Sequence, residues 1–180
     1  MTKNNLIVFI LTIGVFSILN TEMGVIGILP IVASTYNIEI SLAGLLVSLF
    51  ALAVAVSGPI LPLLLSKYNR KTIMIISLGT FFICNVISAF AGSFWLALVA
   101  SVVPAFLHPV YVSLSFAIAS SSVSEKEAPK AVAKVMVGVS AGMVLGVPVM
   151  SYIANLFSLK IAMLAFALVN LIALALTIIY

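Results

Sequence analysis

Along this sequence, long apolar runs of Leu, Ile, Val, Ala and Phe are cut by short polar stretches, and the spacing of the cuts decides the architecture. The first run covers residues 6–33, with Pro30 and the polar stretch Ser34 to Ser41 closing it. The second covers 42–65 and ends among Gly58, Pro59 and Pro62. Thr72 to Val123 then carries no charge. At about 1.5 Å per helical residue this stretch is more than twice what crosses a hydrocarbon core of about 30 Å, so it must turn back once. The turn-like cluster is Ala91-Gly92-Ser93, followed by Phe94-Trp95, a pair suited to the membrane interface, which predicts spans over 73–90 and 95–119. A polar loop from Ser120 to Lys130, containing Pro129, separates these from two last runs, 132–156 and 159–180. Unbroken apolar runs do not alternate as barrel strands do, and a helix satisfies its own backbone groups in lipid. The pattern predicts an all-α membrane protein, with residues 1–180 forming a single domain of six transmembrane helices.

Charge then orients the bundle. The chain has eight Lys and Arg and four Asp and Glu, 7% charged against 64% hydrophobic, where soluble proteins average about 25% charged. All but one of the charges fall in five short places, Lys3, Glu39, Lys67 to Lys71, Glu125 to Lys134 and Lys160. Six crossings put both termini on one side. Sorted that way, seven basic residues share the side of the termini and Lys160 stands alone on the other. This asymmetry predicts cytoplasmic termini in a multi-pass protein of the cell (inner) membrane. The basic residues flank membrane spans without aromatic interleaving, so the net charge of +4 points to the lipid bilayer and not to nucleic acid. The first run is too long for the 7–15-residue core of a signal peptide, roughly speaking, and reads as a retained span. Cys84 has no second cysteine for a disulfide or a metal site, which leaves it a packing role.

The exceptional charge is Glu22, preceded by the polar pair Asn20-Thr21 and followed by Met23-Gly24. It lies about 25 Å along the helix from the cytoplasmic end, at or somewhat outside the midplane. Taking a carboxyl out of water disfavours its charged form, so one facing a cavity takes up and releases a proton according to its access to water. The other reading is a carboxyl kept neutral or hydrogen-bonded to a neighbouring helix as structural glue. His108 sits in Pro104-Ala-Phe-Leu-His-Pro109 at a similar depth. The two prolines deprive the carbonyls of Ala100 and Ala105 of their usual partners, and the helix must bend or open there. Broken helices near the midplane are common transporter sites, while a neutral histidine bonded across a helix interface is the plainer alternative. Asn85, well inside the third span, has the same two readings. One acid and one histidine within the membrane make no paired carboxylates, metal cluster or nucleophile with its base, so neither an enzyme nor a resident cofactor or metal is expected.

Two further patterns bear on packing. Gly138, Gly142 and Gly146 recur at every fourth position ahead of Val147-Pro148, giving one helix face flat enough for close backbone contact, and Pro148 frees the carbonyl of Val144. The loop Lys67-Tyr-Asn-Arg70-Lys71 reads as a topogenic cluster against the anionic inner leaflet, and its shortness makes spans two and three antiparallel neighbours.

With these residues in view, the chain resembles the N-terminal six-helix half of a major facilitator superfamily transporter, in the bacterial drug and sugar efflux branch of proton antiporters. The resemblance covers nearly the whole chain. It is carried by Thr21-Glu22 and Gly27-Ile-Leu-Pro30 in span one and by Ala43 to Leu52 in span two. Leu107-His108 in span four and Val144-Leu-Gly-Val-Pro148 in span five complete it. It implies proton coupling at Glu22, and the residues read above, Asn20, Thr21, His108 and Asn85, are the candidates around the coupling or substrate cavity. It also implies an antiporter-like packing segment at Gly142, Gly146 and Pro148, and a cytoplasmic gating loop at Lys67, Arg70 and Lys71. Three regions depart from the family pattern. The loop lacks the usual Asp and both glycines, Ser101 stands where a span-four Arg is frequent, and Met150 and Ser151 stand near a later glycine pair. The family's cavity lies between two six-helix halves, so the resemblance implies a small-molecule substrate, possible proton exchange and a second half, or a homodimer in its place. A membrane scaffold that folds but moves nothing is the reading from another class.

Overall fold

Helices dominate because each satisfies its own backbone groups within lipid. The computed structural model describes residues 3–180, and its described residues contain helices but no strand. In chain order these are α1 (Lys3–Tyr36), α2 (Ile40–Ala43), α3 (Leu45–Ser57), α4 (Leu61–Leu65) and α5 (Arg70–Ala89). They continue as α6 (Phe94–Ala105), α7 (His108–Ser121), α8 (Ala128–Leu156) and α9 (Leu159–Ile179). Grouped across short breaks, six segments are long and apolar enough to cross a membrane: Asn4–Tyr36, Ile40–Ser57, Arg70–Ala89, Phe94–Ser121, Ala128–Leu156 and Leu159–Ile179.

Side-chain oxygens start three of these helices. Asn69 accepts from the backbone N–H of Lys71 at 2.9 Å and of Thr72 at 3.4 Å, while Ser93 and Ser158 accept from Leu96 and Ile161. Each satisfies a donor that the first turn leaves unpaired. The end of α1 departs from the sequence expectation. Pro30 lies inside the helix, which runs on to Tyr36. The stop is Asn37, at φ 51°, where the N–H of Ile38 turns back to the carbonyl of Ala33 at 3.0 Å. Asparagine tolerates this left-handed conformation, and the reversed bond closes the helix. The second span also differs, since helix stops at Ser57 and resumes only as the short α4. Pro59 and Pro62 cannot donate to the carbonyls of Ala55 and Gly58, so no continuous helix reaches residue 65.

The fourth span opens where its prolines require. Between α6 and α7 the N–H of Leu107 bonds to the carbonyl of Pro104 at 3.0 Å, a tight turn that places His108 as the first residue of α7, with Pro109 next to it. Proline suits that first turn because its missing N–H would have no helical partner there.

Packing is organised around α1, which lies along α8 for most of its length and also touches α9, α7 and α3. The second span (α3 and α4) packs on α6 and α7 and not on α5, so the short basic loop does not make spans two and three packed neighbours. The small residues of α8 make its long contact with α1 possible. A methyl group at Gly142 would lie 2.7 Å from Leu19 Cβ and 3.0 Å from the Asn20 nitrogen, and one at Gly146 would lie 3.1 Å from the Gly24 nitrogen. At Gly138 it would collide with the carbonyl of Thr12. Gly142→Val is therefore expected to lower stability by about 1–3 kcal/mol, the usual effect of overpacking. Thermal unfolding in detergent checks this, and an unchanged midpoint would contradict the close approach.

Two apolar cores result, one at each end of the bundle. The first gathers Val15, Ile18, Leu78, Phe81, Tyr111, Val135 and Ala173, and the second Ile28, Val32, Leu46, Phe94, Met150 and Phe166. On α1, α5 and α9 the residues falling between the two cores include Glu22, Asn85 and Asn170. A polar belt thus separates two greasy layers at mid-height.

Candidate functional site

The belt is where side chains able to carry charge meet. Glu22 on α1 turns toward the break between α6 and α7, and its Oε2 lies 3.0 Å from Nε2 of His108. The glutamate side chain is 23% exposed and the histidine 11%, so the pair is mostly withdrawn from solvent while the acid keeps some access. The two atoms are close without the alignment of a directed N–H···O hydrogen bond, and Nδ1 of His108 is buried with no partner among the described residues. The edge of the ring meets Phe50 of α3, with centroids 5.9 Å apart at 77°. Among the described residues no other acidic side chain approaches a basic one as closely as Glu22 approaches His108, and no group of three acidic, histidine or cysteine side chains is placed to hold a metal.

Around the pair, hydrogen bonds hold α1 in place. Thr21 donates to the carbonyl of Ser17 at 3.0 Å and accepts from Nδ2 of Asn170 on α9 at 2.9 Å. The same amide nitrogen donates to the carbonyl of Phe166 at 2.9 Å. Asn170 is wholly buried, and its Oδ1 finds no donor among the described residues. Sequence reasoning did not single it out, although an amide in the middle of the apolar run 159–180 was a signal of the same kind as Asn85. Asn20 is also buried, with its backbone against Gly142 and Gly146.

A small cavity of about 50 Å³ adjoins the pair, lined by Thr21, Glu22, Asn85 and Ser101 together with apolar side chains that include Phe50 and Met163. Ser101, where the family pattern often has arginine, therefore shares a cavity with Glu22 but brings no positive charge. The volume decides what fits. Pockets for drug-sized ligands run to about 300–1,000 Å³, so this space suits water-sized occupants.

The remaining sequence candidates lie elsewhere. Gly142 and Gly146 belong to the contact of α8 with α1, and Pro148 continues α8 past the belt. One turn on, Ser151 donates to the carbonyl of Gly27 at 2.8 Å, so the departure from glycine there supplies a bond between the same two helices. The basic loop stands about four helical turns of α5 away from Asn85. There Lys71 donates to the carbonyl of Ile178 at 2.9 Å, tying the start of α5 to the end of α9. Lys134 reaches Oδ1 of Asn5 at 3.2 Å at the same end of the bundle.

A profile of the Major Facilitator Superfamily matches residues 11–180. The uncharacterized MFS-type transporter YtbD of Bacillus subtilis (strain 168) is 34% identical over 163 residues, which is 91% of this chain and 41% of that protein. A probable sugar efflux transporter of Helicobacter pylori (strain P12) is 26% identical over 141 residues, 78% of this chain and 36% of that protein. In fold, the chain is similar to the crystal structure of a bacterial homolog to the human lysosomal transporter Spinster, in an inward-facing and unoccupied conformation. The TM-score is 0.79 at 19% identity, covering 99% of this chain and 42% of that one. The chain thus spans about two fifths of the length of the relatives it matches.

Proposed function

Because this chain belongs to the major facilitator superfamily, a family of membrane transporters and not of enzymes, we propose that it forms one wall of a proton-coupled exporter of small molecules. The approach of Glu22 to His108 at 3.0 Å, beside the break in the fourth span, carries the reading. A glutamate that loses its proton attracts a protonated histidine, and one that gains a proton releases it. Unit charges about 3 Å apart attract by about 5 kcal/mol at an effective dielectric near 20, before the cost of desolvation is subtracted. Even half of that moves a two-state balance about a hundredfold. Proton occupancy of the belt can therefore decide whether α1 and α7 stay drawn together, and α7 can respond because the helix is interrupted at Phe106 and Leu107, between it and α6.

Substrate needs another wall. The cavity beside Glu22 is too small for a sugar or a drug, while α3 and α8 turn apolar side chains outward, among them Leu52, Val56, Val137 and Val144. In this proposal a second six-helix bundle, or a second copy of this chain, closes a larger cavity over that surface. The termini and the loop with Lys67, Arg70 and Lys71 face the cytoplasm, where the loop acts as a gate between states. Gly142, Gly146 and Pro148 keep α8 sealed against α1. The sugar efflux name of one relative supports a polar organic substrate as the first to try.

Proteoliposomes test the whole reading. Sugars and amphipathic cations should be driven across by an imposed pH gradient when the chain and the bundle that completes it are reconstituted together. A cysteine placed at Tyr68 should react with impermeant reagent only from the side of the termini. Flux indifferent to the gradient for every substrate tried, or labelling of position 68 from the opposite side, would overturn it.

A further inference from the structure

The belt contains an amide whose donors have nowhere to go in the protein. Asn85 is 8% exposed, and its Nδ2 has no acceptor among the described residues. Leaving a buried donor unpaired costs about 1–3 kcal/mol, which a site this deep bears only when something else accepts. Asn85 lines the same small cavity as Glu22. At about 50 Å³, that space exceeds the 10–15 Å³ or so that one water molecule requires, and a stable buried water also needs two to four polar partners.

The cavity supplies those partners. The amide offers its Nδ2 hydrogens. The carboxyl of Glu22 keeps Oε1 as an acceptor while Oε2 faces His108. Ser101 directs its own proton to the carbonyl of Ala97 at 2.9 Å, which leaves its oxygen lone pairs free to accept. Thr21 also stands on the wall. An all-apolar void of this size stays dry, but one lined by an unpaired amide and a carboxyl does not.

We propose that this cavity is a hydration site, in which one or two water molecules bridge the amide of Asn85 to the carboxyl of Glu22. His108 is not part of the lining, so water and imidazole reach the carboxyl separately. The bridging water gives Glu22 a first proton acceptor inside this six-helix unit, and since the Asn85 amide relays none, the proton passes on to solvent on the exposed side of the carboxyl. Asn85 acts as a positioning residue that fixes the water. The role in proton delivery rests on Glu22 being the coupling acid, whereas the hydration itself does not.

Radiolytic hydroxyl labelling of the full chain in nanodiscs reads out the water directly, because X-ray pulses convert bound water into radicals that oxidise nearby side chains. Met163 lines the cavity and is 5% exposed, whereas Met150 is 2% exposed and does not line it. Met163 should be oxidised to sulfoxide at least about fivefold faster than Met150, since thioether oxidation follows local access of the oxidant. Asn85→Leu, which keeps the branched outline but adds bulk and removes the donors, and Asn85→Ala, which removes the donors and leaves more space, should both bring Met163 down to the rate of Met150. Asn85→Ser should restore part of the difference, and Glu22→Gln, which still accepts a hydrogen bond, should leave it. Equal oxidation of the two methionines in the native chain would overturn the hydration site, and undiminished labelling in Asn85→Leu would remove Asn85 as its anchor. In transport, Asn85→Leu should lower gradient-driven kcat several-fold with KM unchanged. Unaltered kcat would sink the delivery role. A native protein with labelled Met163 and no gradient-driven flux would instead sink the coupling role of Glu22 and leave the water in place.

Discussion

In a Glu22→Gln variant, flux driven by an imposed pH gradient is expected to fall by at least about a hundredfold, the factor that half of the pair's attraction represents. Exchange of labelled substrate at equal pH on both sides should persist. Glutamine keeps the size and hydrogen-bonding capacity of the side chain but neither gains nor loses a proton. The α1–α7 contact then stays in its uncharged condition whatever the gradient, and the unit cycles without using it. The comparison separates coupling from folding, because a variant that still exchanges substrate has kept its cavity. Gradient-driven flux at the native rate would remove Glu22 from the coupling role.

The second large effect concerns the pair as a unit. His108→Ala leaves Glu22 in the belt without its partner, and where both groups are charged, breaking a buried pair from one side costs up to about 3–5 kcal/mol. The glutamate is 23% exposed, so solvent screening brings the expected loss below that range. Glu22→Gln combined with His108→Ala should lose less than the two single variants together, by about 1–3 kcal/mol of coupling between contacting residues. Thermal unfolding of the four proteins in one detergent provides the cycle. Strict additivity would mean that the 3.0 Å approach contributes nothing, and the mechanism built on it would go.

Much of this was readable in advance, and the physical reason is the solvent. Lipid forces long apolar helices, so the number and order of spans follow from where polar residues interrupt them. Prolines are equally plain, since Pro104 and Pro109 open the fourth span on steric grounds alone. Pro30 misled for a related reason. A proline's missing bond need not end a helix in lipid, and the actual stop depended on Asn37 adopting a left-handed backbone. Depth could be counted in residues, which brought Glu22 and His108 to similar heights. Their contact could not be counted, because it depends on how far each helix is rotated about its axis. That rotation is fixed by glycine contacts between α1 and α8 and by the bond from Asn170 to Thr21. Asn170 escaped notice although it was an amide in an apolar run, because the bond that ties it to α1 goes to a partner 149 positions earlier in the chain.

The mid-height position of the belt has an electrical consequence. A full crossing of the membrane by one elementary charge is worth about 2.3 kcal/mol per 100 mV. A proton travelling from either face to Glu22 crosses roughly half the field, so its occupancy there should respond by about sevenfold per 100 mV. If Glu22 is the coupling acid, membrane voltage by itself, with no difference in pH, loads or empties the site, and resting cells would bias the transporter before any substrate arrives.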